Sequence, residues 1–211
     1  MNGWALHTPL MARSSHASRH THGSPPAPVA APPAASPKVI TAWGAEGDVH
    51  VVIETPKGSR NKMAYRPEWQ LFEVKRVLPT GMAFPYDFGF IPGTQGGDGD
   101  PLDVLVLLDT PVPMGAVVTS RLIGVLEGEQ RSDDGWVRND RLIGVASCGV
   151  TQEHLTRLGQ LDSHLLDELE AFFVQYHRLQ GHEYRPLHRR GPRAAQKLVE
   201  HSLSQPTLVA F

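Results

Sequence analysis

From Asp48 to Ala146 the apolar residues fall in short runs with the spacing of strands, and beyond Thr151 the period lengthens to that of a helix. "DVHVVIE" (48–54) alternates apolar and polar positions, "WQLFEVKRV" (69–77) does so less regularly, and "LDVLVLLD" (102–109) is almost continuously apolar. "AVVTSRLIGVLEGE" (116–129) follows the turn "TPVPMG". "RLIGV" occurs at 121–125 and again at 141–145, on either side of a polar stretch. Two like strands around a polar turn predict a hairpin with Asp133, Asp134, Asn139 and Asp140 at or near its tip. Leu165, Leu166, Leu169, Phe172, Phe173 and Tyr176 share one helical face, and Gly191 and Pro192 open a second helix reaching Val199. Strands followed by helices predict an α+β, mainly β domain: a small closed or partly closed barrel with helices packed on one side. The stretch "LPTGMAFPYDFGFIPGTQGGDGD" (78–100) reads as one long loop, and loops of that length tend to be functional.

Residues 1–42 differ from the rest, being rich in Pro, Ala, Ser and His without hydrophobic period, and they read as a disordered tail ahead of a domain spanning 43–205. No acidic residue precedes Glu46, a composition shared with organelle transit peptides, but the tail lacks their amphipathic stripe, so a cytoplasmic protein is expected. His7, His16, His20 and His22 are not expected to form a physiological metal site. The net charge of -2 gives no global field for nucleic acid or an anionic membrane, so any bound anion must be held by local groups. A single cysteine, Cys148, excludes an internal disulfide and is expected as a small apolar filler in a strand.

The densest chemistry lies in "GGDGDPLDVLVLLDTP" (96–111), where Asp98, Asp100 and Asp103 crowd ahead of an apolar run. If Pro101 bends the chain, the three carboxylates converge, and an all-oxygen site suits Mg²⁺, Mn²⁺ or Ca²⁺ rather than zinc. The spacing and Pro101 do not fit an EF-hand loop. The other reading is a water-facing Asx turn that caps the next strand. Glu54 ends an apolar strand, and Lys62 and Arg76 sit near others. Basic groups facing a metal-loaded carboxylate cluster are the parts needed to hold a polyphosphate.

The segment "DGDPLDVLVL", with "VVIETP", "NKMAY", "FPYDFGFIPGT" and "FFVQY" in order around it, resembles the soluble family I inorganic pyrophosphatases from about Val51 to Leu203. The resemblance implies a five-stranded OB-like barrel with two C-terminal helices, a homo-oligomer, and hydrolysis of pyrophosphate to two phosphates with Mg²⁺ or Mn²⁺. By position it implies Asp98 and Asp103 as metal ligands, Asp100 as the general base, and Lys62, Arg76, Tyr176 and Arg141 as phosphate-holding groups. Glu54 would support the site, and Asp134 and Asp140 would be further metal ligands from the hairpin.

The family pattern is broken inside the site. Its Lys-Tyr-Glu is Lys62-Met63-Ala64, two of its tyrosines are Phe84 and Phe88, a metal-binding Asp aligns with Asn139, and two lysines align with Arg141 and His177. Asn139 has an amide oxygen left to ligate with, or Asp140 substitutes by a one-residue shift; His177 is positive only when protonated. Losing charge-assisted contacts worth roughly 1.5–3 kcal/mol each implies weaker or altered activity. The alternatives are a catalytically weak phosphate-binding relative, a hydrolase of another phosphoanhydride, or an OB-type nucleic-acid binder stacking bases on Phe84, Tyr86, Phe88 and Phe90. The near-neutral charge argues against the last.

Overall fold

The computed structural model describes residues 40–203; the tail histidines and most of the 1–42 segment lie outside them. Five strands close into a ring: β1 (Val49–Thr55), β4 (Asp87–Phe90), β5 (Asp103–Leu107), β8 (Arg141–Ala146) and β6 (Val117–Ser132), with β6 returning to pair β1. Only the β5–β8 pair in the ring is parallel. β6 is long enough to carry β7 (Gly135–Arg138) and β9 (Tyr184–Arg190) on its far half, bending at bulges between Leu122 and Gly124 and between Leu126 and Gly128. β2 (Asn61–Arg66) and β3 (Leu71–Val77) form a separate two-stranded hairpin, and α1 (Ser163–Arg178) and α2 (Pro192–His201) complete the unit. Ala42 is already buried, and the Ala42 carbonyl accepts from the His50 amide (2.9 Å).

The near-continuous apolar runs of β5 and β8 follow from burial on both faces. Val104 and Val106 pack with Val51, Ile53 and α2 residues Ala195 and Val199. Their neighbours Leu105 and Leu107 pack with Phe84, Phe88 and α1 residues Leu166, Leu169 and Phe173. Because both parities of the strands are apolar, each helix covers its own core. Arg189 of β9 ties to α1 through Glu170 and Asp167 (2.7 and 2.5 Å).

Two expectations need correction. The stretch 78–100 is not a single loop, because Asp87–Phe90 is the buried barrel strand β4. Its apolar period is hidden by Gly89, where a Cβ would overlap the Val52 carbonyl of the neighbouring strand. Cys148 is exposed in the turn after β8 and does not fill a strand. The "RLIGV" repeats do pair, Val125 with Leu142 and Arg121 with Val145.

Glu54 joins the hairpin to the barrel. One carboxylate oxygen accepts from Lys62 Nζ (2.8 Å) and the other from the Tyr65 amide (2.7 Å), while the Met63 amide donates to Thr55 Oγ1 (3.1 Å). The Glu54 and Lys62 side chains are only 10% and 12% exposed, so the pair is largely out of water.

Substituting Gly89→Ala is expected to lower stability by about 3 kcal/mol or more, read as a shifted urea midpoint. Glu54→Ala is expected to cost about 3 kcal/mol by stranding Lys62 and the Tyr65 amide, and to speed hydrogen exchange of the β2–β3 amides more than that of β5 and β8.

Candidate active site

A cleft of about 530 Å³ lies between the β2–β3 hairpin, the 96–103 loop, the start of β8 and the end of α1. Glu54, Lys62, Arg76, Asp98, Asp100, Asp103, Arg141 and Tyr176 all line it, so residues far apart in the chain meet in one place. A smaller recess of about 280 Å³ shares Asp98, Asp103, Asn139 and Arg141 with the cleft and adds Arg138 and Asp140.

The aspartate loop is closed by its own backbone. The Gly96 amide donates to the Asp100 carbonyl (2.7 Å), the Gly99 amide to the Gly96 carbonyl (3.1 Å), and the Asp100 amide to Asp98 Oδ1 (3.2 Å). Gly99 has φ +88°, a conformation that favours glycine and lets the loop turn back between two carboxylates. The Asx turn and the cleft-facing cluster are thus features of the same loop. Burial raises the Asp98 carboxyl, with Arg141 opposing and Asp100 adding to the rise. Burial also raises Asp103, to about 6, against the lowering charges of Arg141 and Lys62. The Asp100 carboxylate is exposed and accepts no hydrogen bond or ion pair among the described residues.

Arg141 is the buried cation of the site. The parallel register sets it directly opposite Asp103, whose carboxylate it meets at 2.7 Å. Nη1 also donates to the Asp140 carbonyl (3.0 Å) and to Asn139 Oδ1, and the guanidinium lies 5.0 Å from the Phe173 ring centre. Its Nε is buried with no hydrogen-bond partner among the described residues. Asn139 in turn donates through Nδ2 to Gln130 Oε1 (2.6 Å). Its amide oxygen is therefore engaged by Arg141.

His177 loses the charge that its position suggests. Nδ1–H donates to the Phe173 carbonyl (2.8 Å) and the ring stacks on Tyr184 at 4.6 Å. Burial first, and then the Arg141 charge, lower its pKa to about 4, so it is neutral near pH 7. Phe84 and Phe88 give up hydroxyls but gain packing. Their rings are 5.2 Å apart in the α1 core, and Lys62 Nζ lies 4.4 Å over Phe88. Phe84, Phe88 and Phe90 are buried, so they are not a platform for stacking bases.

Some expected residues lie elsewhere. Asp133 and Asp134 form the exposed two-residue turn between Ser132 and Gly135, and Asp134 does not reach the cleft. Asn139 and Asp140 sit at the buried base of that hairpin rather than at its tip, because β6 pairs β7 first and the chain reaches β8 only afterwards. Asp140 faces the smaller recess, where Oδ1 accepts from Arg138 (2.7 Å) and the Gly128 amide (3.0 Å). Among the described residues no three His, Cys, Asp or Glu side chains gather closely enough to cage a metal unaided. The sequence reading missed Lys75, Arg66 and Gln130, which also line the cleft. Gln130 gives no signal by spacing, and Lys75 lies one residue from Arg76, so strand alternation sends it to the other face.

A family model described as inorganic pyrophosphatase matches residues 51–206. An inorganic pyrophosphatase of Synechocystis is 38% identical over 141 residues, covering 67% of this chain and 81% of that protein. One from Thermus thermophilus is 39% identical over 135 residues, 63% of this chain and 74% of that protein. The crystal structure of the inorganic pyrophosphatase from Thermus thermophilus superposes with a TM-score of 0.72 at 34% identity, covering 80% of this chain and 97% of that one. That of Helicobacter pylori does so with 0.69 at 32% identity, covering 74% and 91%. The family match, spanning barrel, aspartate loop and α1 alike, makes this chain a member of the inorganic pyrophosphatase family.

Proposed function

We propose that the chain hydrolyses inorganic pyrophosphate to two phosphates with Mg²⁺, or Mn²⁺ in its place. The observation that carries this reading is one cleft lined both by Asp98, Asp100 and Asp103 and by Lys62, Arg76 and Arg141. The oxygen-only donors fit a hard cation that keeps waters and substrate oxygens in its shell and needs no complete protein cage. Asp98 and Asp103 would hold it. Their desolvated carboxylates favour added positive charge. When bound, the ion supplies charge neutralisation at the phosphate oxygens and acidifies water. Asp134 and Asp140 are left out of the ligand set, since neither lines the cleft.

Lys62, Arg76 and Arg141 hold phosphoryl oxygens, with Tyr176 beside them on α1. Asp100 accepts the proton of the attacking water. The water oxygen bonds to one phosphorus, the bridging oxygen leaves with the other, and two phosphates result. The exposed, unengaged Asp100 carboxylate suits a proton acceptor better than the Arg141-bound Asp103. Glu54 fixes Lys62 and with it the hairpin wall.

Ala64, the neutral His177 and the engaged Asn139 favour a slow enzyme. Two missing charge-assisted contacts would lower turnover by roughly 10²–10⁴-fold. The same observations favour the second reading, a phosphate-binding relative of little activity. Phosphate release from pyrophosphate in Mg²⁺ and in Mn²⁺ separates the two, and no release in either metal overturns the hydrolase.

Asp100→Asn is expected to lower kcat by about 10²-fold or more while pyrophosphate binding persists by calorimetry; unchanged turnover would remove Asp100 from this role. For His177, the depressed pKa means that the unfolded chain takes up the proton first. Its stabilising contribution is therefore complete above about pH 6.5, falls as pH drops, and is gone below about pH 4. Roughly 3 kcal/mol is at stake. His177→Gln should flatten the difference in denaturation midpoint between pH 7 and pH 4 relative to the wild type.

A further inference from the structure

β3 carries a bulge beside the cleft. Lys62 pairs with Arg76, but the next pair is Met63 with Val74, which leaves Lys75 as the extra residue. A bulge re-aims a side chain, and here Lys75 lines the same cleft as its neighbour Arg76, against the alternation of the strand. Neither Lys75 nor Arg76 has an ion pair or side-chain hydrogen bond among the described residues. Lys62, Arg66 and Arg141 each have a carboxylate partner, Glu54, Glu73 and Asp103 in turn.

The basic groups also grade outward. Arg141 is buried, Lys62 is 12% exposed at its side chain, Arg76 is half-buried, Arg66 is 37% exposed at its side chain, and Lys75 is exposed. Ala64 lies between Lys62 and Arg66 on β2 and adds no carboxylate of its own to that wall. The result is a basic track that starts among the aspartates and runs out along the hairpin.

We propose that Lys75 is a specificity-determining residue that binds a third phosphoryl group, making linear tripolyphosphate a substrate of this chain. The inference rests on the pyrophosphatase reading for its chemistry. The terminal phosphoryl lies at the aspartate loop, the middle one between Lys62 and Arg76, and the third reaches Lys75. Water adds to the terminal phosphorus and the bridging oxygen departs with pyrophosphate. The proton passes to Asp100, so one water and one tripolyphosphate give one phosphate and one pyrophosphate. A polyanion of higher charge gains from an unpaired ammonium that pyrophosphate is too short to use fully.

The test is calorimetric binding of tripolyphosphate and pyrophosphate, in Mg²⁺, to the full chain carrying Asp100→Asn, with phosphate release from both compounds by the wild type. Tripolyphosphate is expected to bind about ten-fold tighter than pyrophosphate, as one added charge-assisted contact implies. Adding Lys75→Ala should remove that preference, and Lys75→Arg should keep most of it. Because Lys75 is exposed, neither change threatens the fold. Tripolyphosphate binding no tighter than pyrophosphate, or Lys75→Ala weakening both by the same factor, overturns the proposal. Wild-type protein that releases phosphate from pyrophosphate but not from tripolyphosphate overturns it as well. Inertness toward both compounds defeats the hydrolase reading, while the binding comparison still decides whether Lys75 selects the longer anion.

Discussion

A carboxylate kept largely from water between the barrel and the hairpin sets the geometry of everything that faces the substrate. An isolated two-stranded sheet is marginal in water, and β2 and β3 form such a sheet, outside the ring of strands. Glu54, at the end of a barrel strand, accepts from a β2 ammonium and a β2 amide at once, and so gives the hairpin a fixed position. Lys62 is placed by this contact directly, and Arg76 by its pairing with Lys62. A glutamate that would look like a candidate ligand in a list of acidic residues is therefore a structural brace with a functional result.

The opposite wall is governed by Arg141. A lysine there would offer one compact ammonium, whereas the guanidinium reaches Asp103, the Asp140 carbonyl and Asn139 together and lies against Phe173. Its positive charge also helps keep His177 neutral. The departures at 139, 141 and 177 are thus connected. An arginine at 141 makes an amide at 139 a suitable partner and makes a second cation at 177 unfavourable.

Much of this was legible in the residues because the strongest signals are local. Strand periodicity in 48–54 and 102–107, the helical face from Leu165 to Tyr176, and the repeated "RLIGV" segments all correspond to elements in which burial alone dictates the pattern. The aspartate loop was visible because turn chemistry and charge crowd into six residues. What escaped depends on pairing between distant segments. β4 is only four residues long and contains a glycine chosen for the closeness of Val52, which no local pattern reveals. The bulge that brings in Lys75 is a property of the register between two strands, and alternation within one strand points the wrong way. Asn139 and Asp140 lie away from the hairpin tip because strand β7 separates them from the turn at Asp133 and Asp134.

The ring of strands carries a kinetic meaning as well. Its closing seam joins Val49–Val52 to Val117–Ser120, segments separated by the hairpin, β4, the aspartate loop and β5. The chain must lose the entropy of that whole intervening stretch before the seam returns any pairing energy, and folds dominated by such distant contacts form slowly. The hairpin, the aspartate loop and the Arg141 wall of the cleft belong to the enclosed stretch or to strands that complete the ring, and α1 adds Tyr176 from beyond it. Assembly of those walls is therefore tied to the same slow, long-range pairing that closes the ring.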